Sequence, residues 1–185
     1  MIKTVIRVVA VAATLAAATS LAHAKDPMVG GAAMYASKNI VQNAVNSKDH
    51  TTLVAAVKAA GLVDTLEGKG PFTVFAPTNE AFGKLPPGTI ETLLKPENKA
   101  TLTKILTCHV VAGDDMAAAI KKWATSKGGE YDLKTVGGCT IKAMDKGGKL
   151  TLTDEAGGTA HITIADVKQS NGVIHVVDKV LLPKM

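Results

Sequence analysis

The stretch Gly70-Pro71-Phe72-Thr73-Val74-Phe75-Ala76-Pro77-Thr78-Asn79-Glu80-Ala81-Phe82 reads as a strand followed at once by a capped helix. Phe72 to Ala76 is a β-branched and aromatic run bounded by prolines, which is the pattern of a strand. Thr78 is a residue type that accepts hydrogen bonds from first-turn N–H groups, so it is suited to cap a short helix through Phe82. The three phenylalanines here are half of the six aromatic residues in the chain. Phe72, Val74, Phe75 and Phe82 are therefore assigned to the core, at about 3–5 kcal/mol each on truncation to Ala.

Upstream of this stretch the period is helical. Asn39 to Val45 forms a short helix, and a second follows the polar Asn46-Ser47-Lys48-Asp49 with Leu53, Val54 and Val57 on one face. Gly61 is placed to end it, and Leu62 to Leu66 adds one more apolar turn before the Gly68-Lys69-Gly70-Pro71 break. Residues 25–38 show no clear pattern and read as a loose segment.

Downstream, Pro86-Pro87-Gly88 forces a turn. Pro96 opens a helix carrying Leu102, Ile105 and Leu106, and Cys108-His109-Val110-Val111 reads as a strand. Asp114 or Asp115 is expected to cap a further helix, with Met116, Ile120 and Trp123 facing inward. From Tyr131 onward the period changes to two. Cys139–Met144, Leu150–Thr153 and Ala160–Ile164 alternate apolar with polar around Gly147-Gly148 and Gly157-Gly158, as antiparallel hairpins do. Val173 to Val177 is apolar on both faces except for His175, which predicts a strand central to a sheet, and Val180-Leu181-Leu182 ends the fold. Helices first and strands second make an α+β domain over residues 39–185.

The chain begins with Lys3 and Arg7, an apolar run from Val8 to Ala18, and Ala22-His23-Ala24, the small-x-small pattern of a cleavable export signal over residues 1–24. The apolar run is shorter than the ~20 residues needed to span a bilayer, and no later segment is long and apolar enough either. The expectation is a secreted or periplasmic protein of 161 residues that has lost its only arginine and carries a net charge of +3. Its lysines are scattered, which argues against nucleic acid as a partner.

Catalytic and metal chemistry have no visible constellation. No serine lies in a glycine-flanked elbow, and His50, His109, His161 and His175 lack zinc-ligand spacing. Asp114-Asp115 and Asp154-Glu155 are read as a cap and a turn, since neither continues as a calcium loop. The glycine pairs lack a phosphate-loop context. The reading is a non-enzyme with no cofactor and no metal. Cys108 and Cys139 are either a disulfide closing a loop of about 30 residues or two buried thiols, and spacing leaves both open.

Two stretches together resemble the fasciclin-type domain family. The first is Gly70–Phe82, and the second is Asn171-Gly172-Val173-Ile174-His175-Val176-Val177-Asp178-Lys179-Val180-Leu181-Leu182-Pro183. The likeness runs from about Asn39 to Pro183 and is closest in kind to short secreted single-domain bacterial members. It implies a wedge of two β-sheets flanked by helices, and a role in adhesion or matrix contact without catalysis. Phe72, Val74, Phe75, Pro77, Thr78, Phe82, Asn171, Gly172 and His175 are then structural signature residues. Asn171-Gly172 is a turn pair whose amide is also suited to backbone carbonyls.

The family's Tyr-His contact pair falls on Cys108-His109, where the histidine is kept and the tyrosine is not. Its Asp-Ile adhesion pair falls on Asp166-Val167. The resemblance thus puts forward His109, Asp166 and Val167 as contact residues for a protein or glycan at a cell surface, in the matrix or in the periplasm. A carrier holding a small apolar ligand between helices and sheet is the alternative.

Overall fold

A computed structural model describes residues 26–184. The expected export signal over residues 1–24 lies outside the described residues. In chain order the elements are β1 (Met28–Val29), β2 (Ala32–Ala33), α1 (Ile40–Ala44), α2 (Thr51–Ala60), α3 (Val63–Glu67), β3 (Phe72–Pro77), α4 (Asn79–Gly83), α5 (Thr89–Leu93), α6 (Lys99–Thr107), β4 (Val110–Ala112), α7 (Ala117–Ser126), β5 (Glu130–Lys134), β6 (Thr140–Lys146), β7 (Lys149–Thr153), β8 (Thr159–Gln169) and β9 (Gly172–Val177). The fold is mixed α+β, with helices flanking a seven-stranded sheet.

That sheet runs β4-β3-β9-β8-β7-β6-β5. The eleven-residue β8 serves both halves: Thr159–His161 pair with β7, and Ile162–Gln169 pair with β9. Two register shifts, between Ile162 and Ile164 and between Ile164 and Val167, bend it where it passes from one half to the other. The far ends approach each other through an antiparallel bridge between Val111 and Thr135, so the sheet almost closes on itself.

β3 and β9 are neighbours and run parallel, with Phe72 opposite Gly172 and Pro77 opposite Val177. Both are apolar on both faces because a separate core lies on each side. Val74, Ala76, Ile174 and Val176 pack with the helices α1, α2 and α6, while Phe75 and Val177 pack with Ile120 of α7 and with Leu133, Ile141 and Leu152 of the opposite sheet half. A parallel pair needs a long crossover, and everything from α4 to β8 supplies it.

The structure departs from the sequence expectations at four places. The segment expected to be loose contains the β1–β2 hairpin, and it is fastened by Asn43, whose amide donates to the Tyr35 carbonyl at 2.8 Å and accepts from the Tyr35 N–H at 3.1 Å. Two-residue strands are too short to show a period. Pro96 opens a 3₁₀ turn, Pro96–Asn98, and α6 begins only at Lys99. Cys108 and His109 finish α6 by donating their N–H groups back to Ile105 and Leu106, and the strand starts at Val110. Neither Asp114 nor Asp115 caps α7; the cap comes from another strand, as described below.

Candidate functional site

The two sequence signatures meet along the β3–β9 seam. Gly172 sits at φ 151°, and a Cβ there would overlap the carbonyl oxygen of Phe72 on the adjoining strand. Close approach of the two backbones therefore requires glycine. Beside it, buried Asn171 uses its whole amide: Oδ1 accepts from the Ile40 N–H at 3.0 Å, and Nδ2 donates to the carbonyls of Leu66 at 2.8 Å and Gly68 at 2.9 Å. One side chain thus holds the start of α1 and the end of α3 against the sheet.

His175 is fully buried, stacked on Phe75 with ring centroids 5.7 Å apart. Its Nε2 donates to the Asp115 carbonyl at 2.9 Å, and its Nδ1 accepts from the Asp166 N–H at 3.2 Å. Both nitrogens are used with the ring neutral, and burial pushes its pKa down. Asp166 lies in the bent part of β8 at φ 58°, a left-handed conformation that Asp tolerates better than most residues. That twist aims Oδ1 at the first turn of α7, where it accepts from the Ala117 N–H at 2.7 Å. Asp115 instead accepts from His175 through its backbone while its own N–H donates to Thr73 Oγ1 at 2.8 Å.

His109 is 2 % exposed, and Val167 is completely buried. Both residues, which the resemblance puts forward for contact, turn their side chains to the interior. Nδ1 of His109 donates to the Ile105 carbonyl at 2.8 Å, and its Nε2 accepts from the Leu181 N–H at 2.9 Å. Burial drives its pKa down to about 4, against the weaker opposing pull of the Ile105 carbonyl and Asp154. Asp166 stays partly exposed, but one of its oxygens is committed to α7. Cys108 is joined to Cys139 by a disulfide across 31 residues, tying the end of α6 to the turn before β6.

The carboxylates that could have formed an acid–base pair are also spent on backbone. Asp154 accepts from Gly158 at 2.7 Å and from Leu182 at 2.9 Å; Glu155 accepts from Thr140 at 2.8 Å and from Lys184 at 3.3 Å, which holds its pKa below the usual carboxylate range. Among the described residues no three His, Cys, Asp or Glu side chains converge as metal ligands, and no helix is long and apolar enough to cross a membrane.

Two surface features remain for recognition. On one side of the molecule Trp123 of α7 and Tyr131 of β5, both half-buried, lie with ring centroids 5.0 Å apart. Tyr131 borders an open basin with Lys127, Glu130, Asp132 and Lys142, in which Lys142 pairs with Glu130 at 3.1 Å. Elsewhere an apolar cleft of about 60 Å³ enters between the helices and β3. Sequence reading named the residues of neither, though its alternative placed an apolar ligand between helices and sheet. The basin could have been suspected from a lone Trp set among Lys121, Lys122 and Lys127, whereas the cleft joins segments that no local pattern connects.

The fasciclin domain profile matches residues 48–183. The chain belongs to the fasciclin domain family. Protein sll1483 of Synechocystis sp. is 46% identical to this fasciclin chain over 172 residues, 93% of this chain and 88% of that protein. Immunogenic protein MPB70 of Mycobacterium bovis is 34% identical over 191 residues, 92% of this chain and 90% of that protein. These matches, nearly end to end, are to bacterial fasciclin proteins of similar length. Among solved structures, a FAS1 domain pair from the insect cell adhesion molecule fasciclin I aligns with a TM-score of 0.70 at 20% identity, over 78% of this chain and 51% of that chain. At that identity the likeness is one of fold, and this chain spans about half of the pair.

Proposed function

We propose that this fasciclin protein is an exported recognition module that binds a protein or glycan at a cell surface, in the matrix or in the periplasm, with no covalent step. The observation that supports this reading is the aromatic pair Trp123–Tyr131, of which Tyr131 borders the charged basin. Both rings are half-buried, packed against the second core on one side and partly open on the other. Aromatic faces backed by a core supply contact area at small conformational cost, and Glu130, Asp132, Lys127 and Lys142 around them offer both acceptors and donors. Family membership and a fold shared with an insect cell adhesion molecule support the same class of activity.

The test is retention of the purified domain, residues 25–185, on immobilised host and bacterial surface fractions. Saturable binding is expected, reduced at least tenfold by Tyr131→Ala and by Asp132→Ala in proteins that melt like the parent. Absence of saturable retention on any fraction, or retention indifferent to both substitutions, overturns the proposal.

A further inference from the structure

The apolar cleft lies far from that chemistry in kind. Its walls come from α1, α2, α3, the end of α6, the start of β4 and the first residues of β3, with Val41, Val57, Val63, Phe72 and Val110 among them. All of its reachable wall surface is carbon. A volume of about 60 Å³ has room for roughly four to six water-sized spheres, yet water there would find no hydrogen-bond partner. A hydrocarbon chain meets the opposite balance, since it loses nothing by leaving water and fills the gap with dispersion contacts.

The mouth has its own chemistry. Three lining residues are also exposed and so mark the opening: Lys58, Thr65 and Val136, the last 51 % exposed. Lys58 carries the one charge of the lining, and it takes part in none of the ion pairs formed among the described residues. Asp64 and Glu67 lie on the neighbouring α3, but neither lines the cleft. Lys58 and Thr65 thus border a carbon-walled slot whose reachable wall includes none of their polar atoms, so a ligand with a short apolar tail inside and an anionic head outside matches both parts.

We infer that this cleft binds a small carboxylate amphiphile, its short apolar chain between the helices and β3 and its carboxylate outside, toward Lys58 and Thr65. The site is separate from the Trp123–Tyr131 basin, so either can stand without the other. A hydrophobic patch shed by a protein partner would use the tail pocket but not the charge, and the test separates the two.

Hexanoate and 1-hexanol are titrated into the mature protein while amide and methyl NMR signals are followed. Saturable shifts confined to Val41, Val57, Val63 and Val110 are expected for hexanoate, with acetate giving none. Lys58→Glu should weaken hexanoate at least tenfold and leave 1-hexanol unchanged. Val63→Phe, which fills the slot from a half-buried wall, should remove both; Val136→Trp at the exposed mouth serves if that variant unfolds. No saturable shift with hexanoate, or hexanoate binding that ignores Lys58→Glu, overturns the inference.

Discussion

The backbone N–H of Leu181 donates to Nε2 of His109 at 2.9 Å, joining residues 72 positions apart. The bond exists only while that nitrogen is unprotonated, because its other ring nitrogen already donates to Ile105. The folded pKa of about 4 lies below the ordinary 6.5, so the unfolded chain binds more protons between those values. Stability is therefore fully present above pH 6.5 and is lost as pH falls through about 4, by about 3 kcal/mol from this group. Burial lowers the pKa of His50 and His175 as well, so they act in the same direction. Urea unfolding at pH 7.5, 6 and 4.5 should show a falling midpoint, and His109→Leu should flatten its dependence on pH. A midpoint independent of pH over this range would show the assignment to be wrong.

Asn171→Ala would strand the Ile40 N–H and the carbonyls of Leu66 and Gly68 in places where little water reaches. A loss of about 2–4 kcal/mol is expected from three unmet groups. Thermal unfolding measures it. Asn171→Asp keeps Oδ1 but sets a carboxylate oxygen against the carbonyls of Leu66 and Gly68, so its melting temperature should lie no higher than that of the alanine variant.

Asp166 offers a direct contrast between a contact role and a structural one. Asp166→Asn keeps an oxygen for Ala117 and a side chain that tolerates φ 58°, so it should cost less than about 1 kcal/mol. Asp166→Val loses the cap and places a β-branched residue in the left-handed region, for about 2–4 kcal/mol. Calorimetry on both variants decides, and equal losses for Asn and Val would refute the capping role.

The Cys108–Cys139 bond closes a loop spanning 31 residues. Its loop-closure contribution is about 3–4 kcal/mol in the chain-entropy treatment. Intact mass should rise by two hydrogens on reduction, and Cys108→Ser with Cys139→Ser should lower the urea midpoint while keeping the circular dichroism of the fold. Alkylation of either thiol without reductant would contradict the pairing.

Much of the architecture is local and therefore readable in the chain. Thr78 accepts from the Ala81 N–H, Asn39 caps α1, and Gly61 ends α2 in the left-handed conformation, each as its residue type dictates. The hairpins β5 to β8 follow from period two and paired glycines, because side-chain alternation is fixed by the backbone itself. The two apolar faces of Val173–Val177 already imply a strand between two cores. Family membership was equally legible, since its signatures are contiguous stretches.

What the chain order does not encode is which distant groups face each other. Only tertiary packing makes the first and last signature strands parallel neighbours, hands the capping of α7 to Asp166 instead of Asp115, and turns His109 inward to Leu181. The same holds for the fastening of residues 26–38, the Trp123–Tyr131 pair and the cleft beside Lys58. Periodicity reports whether a residue is buried, through burial's cost or gain at that position. The identity of its partner depends on chain closure over tens of residues, which is set by the whole core at once.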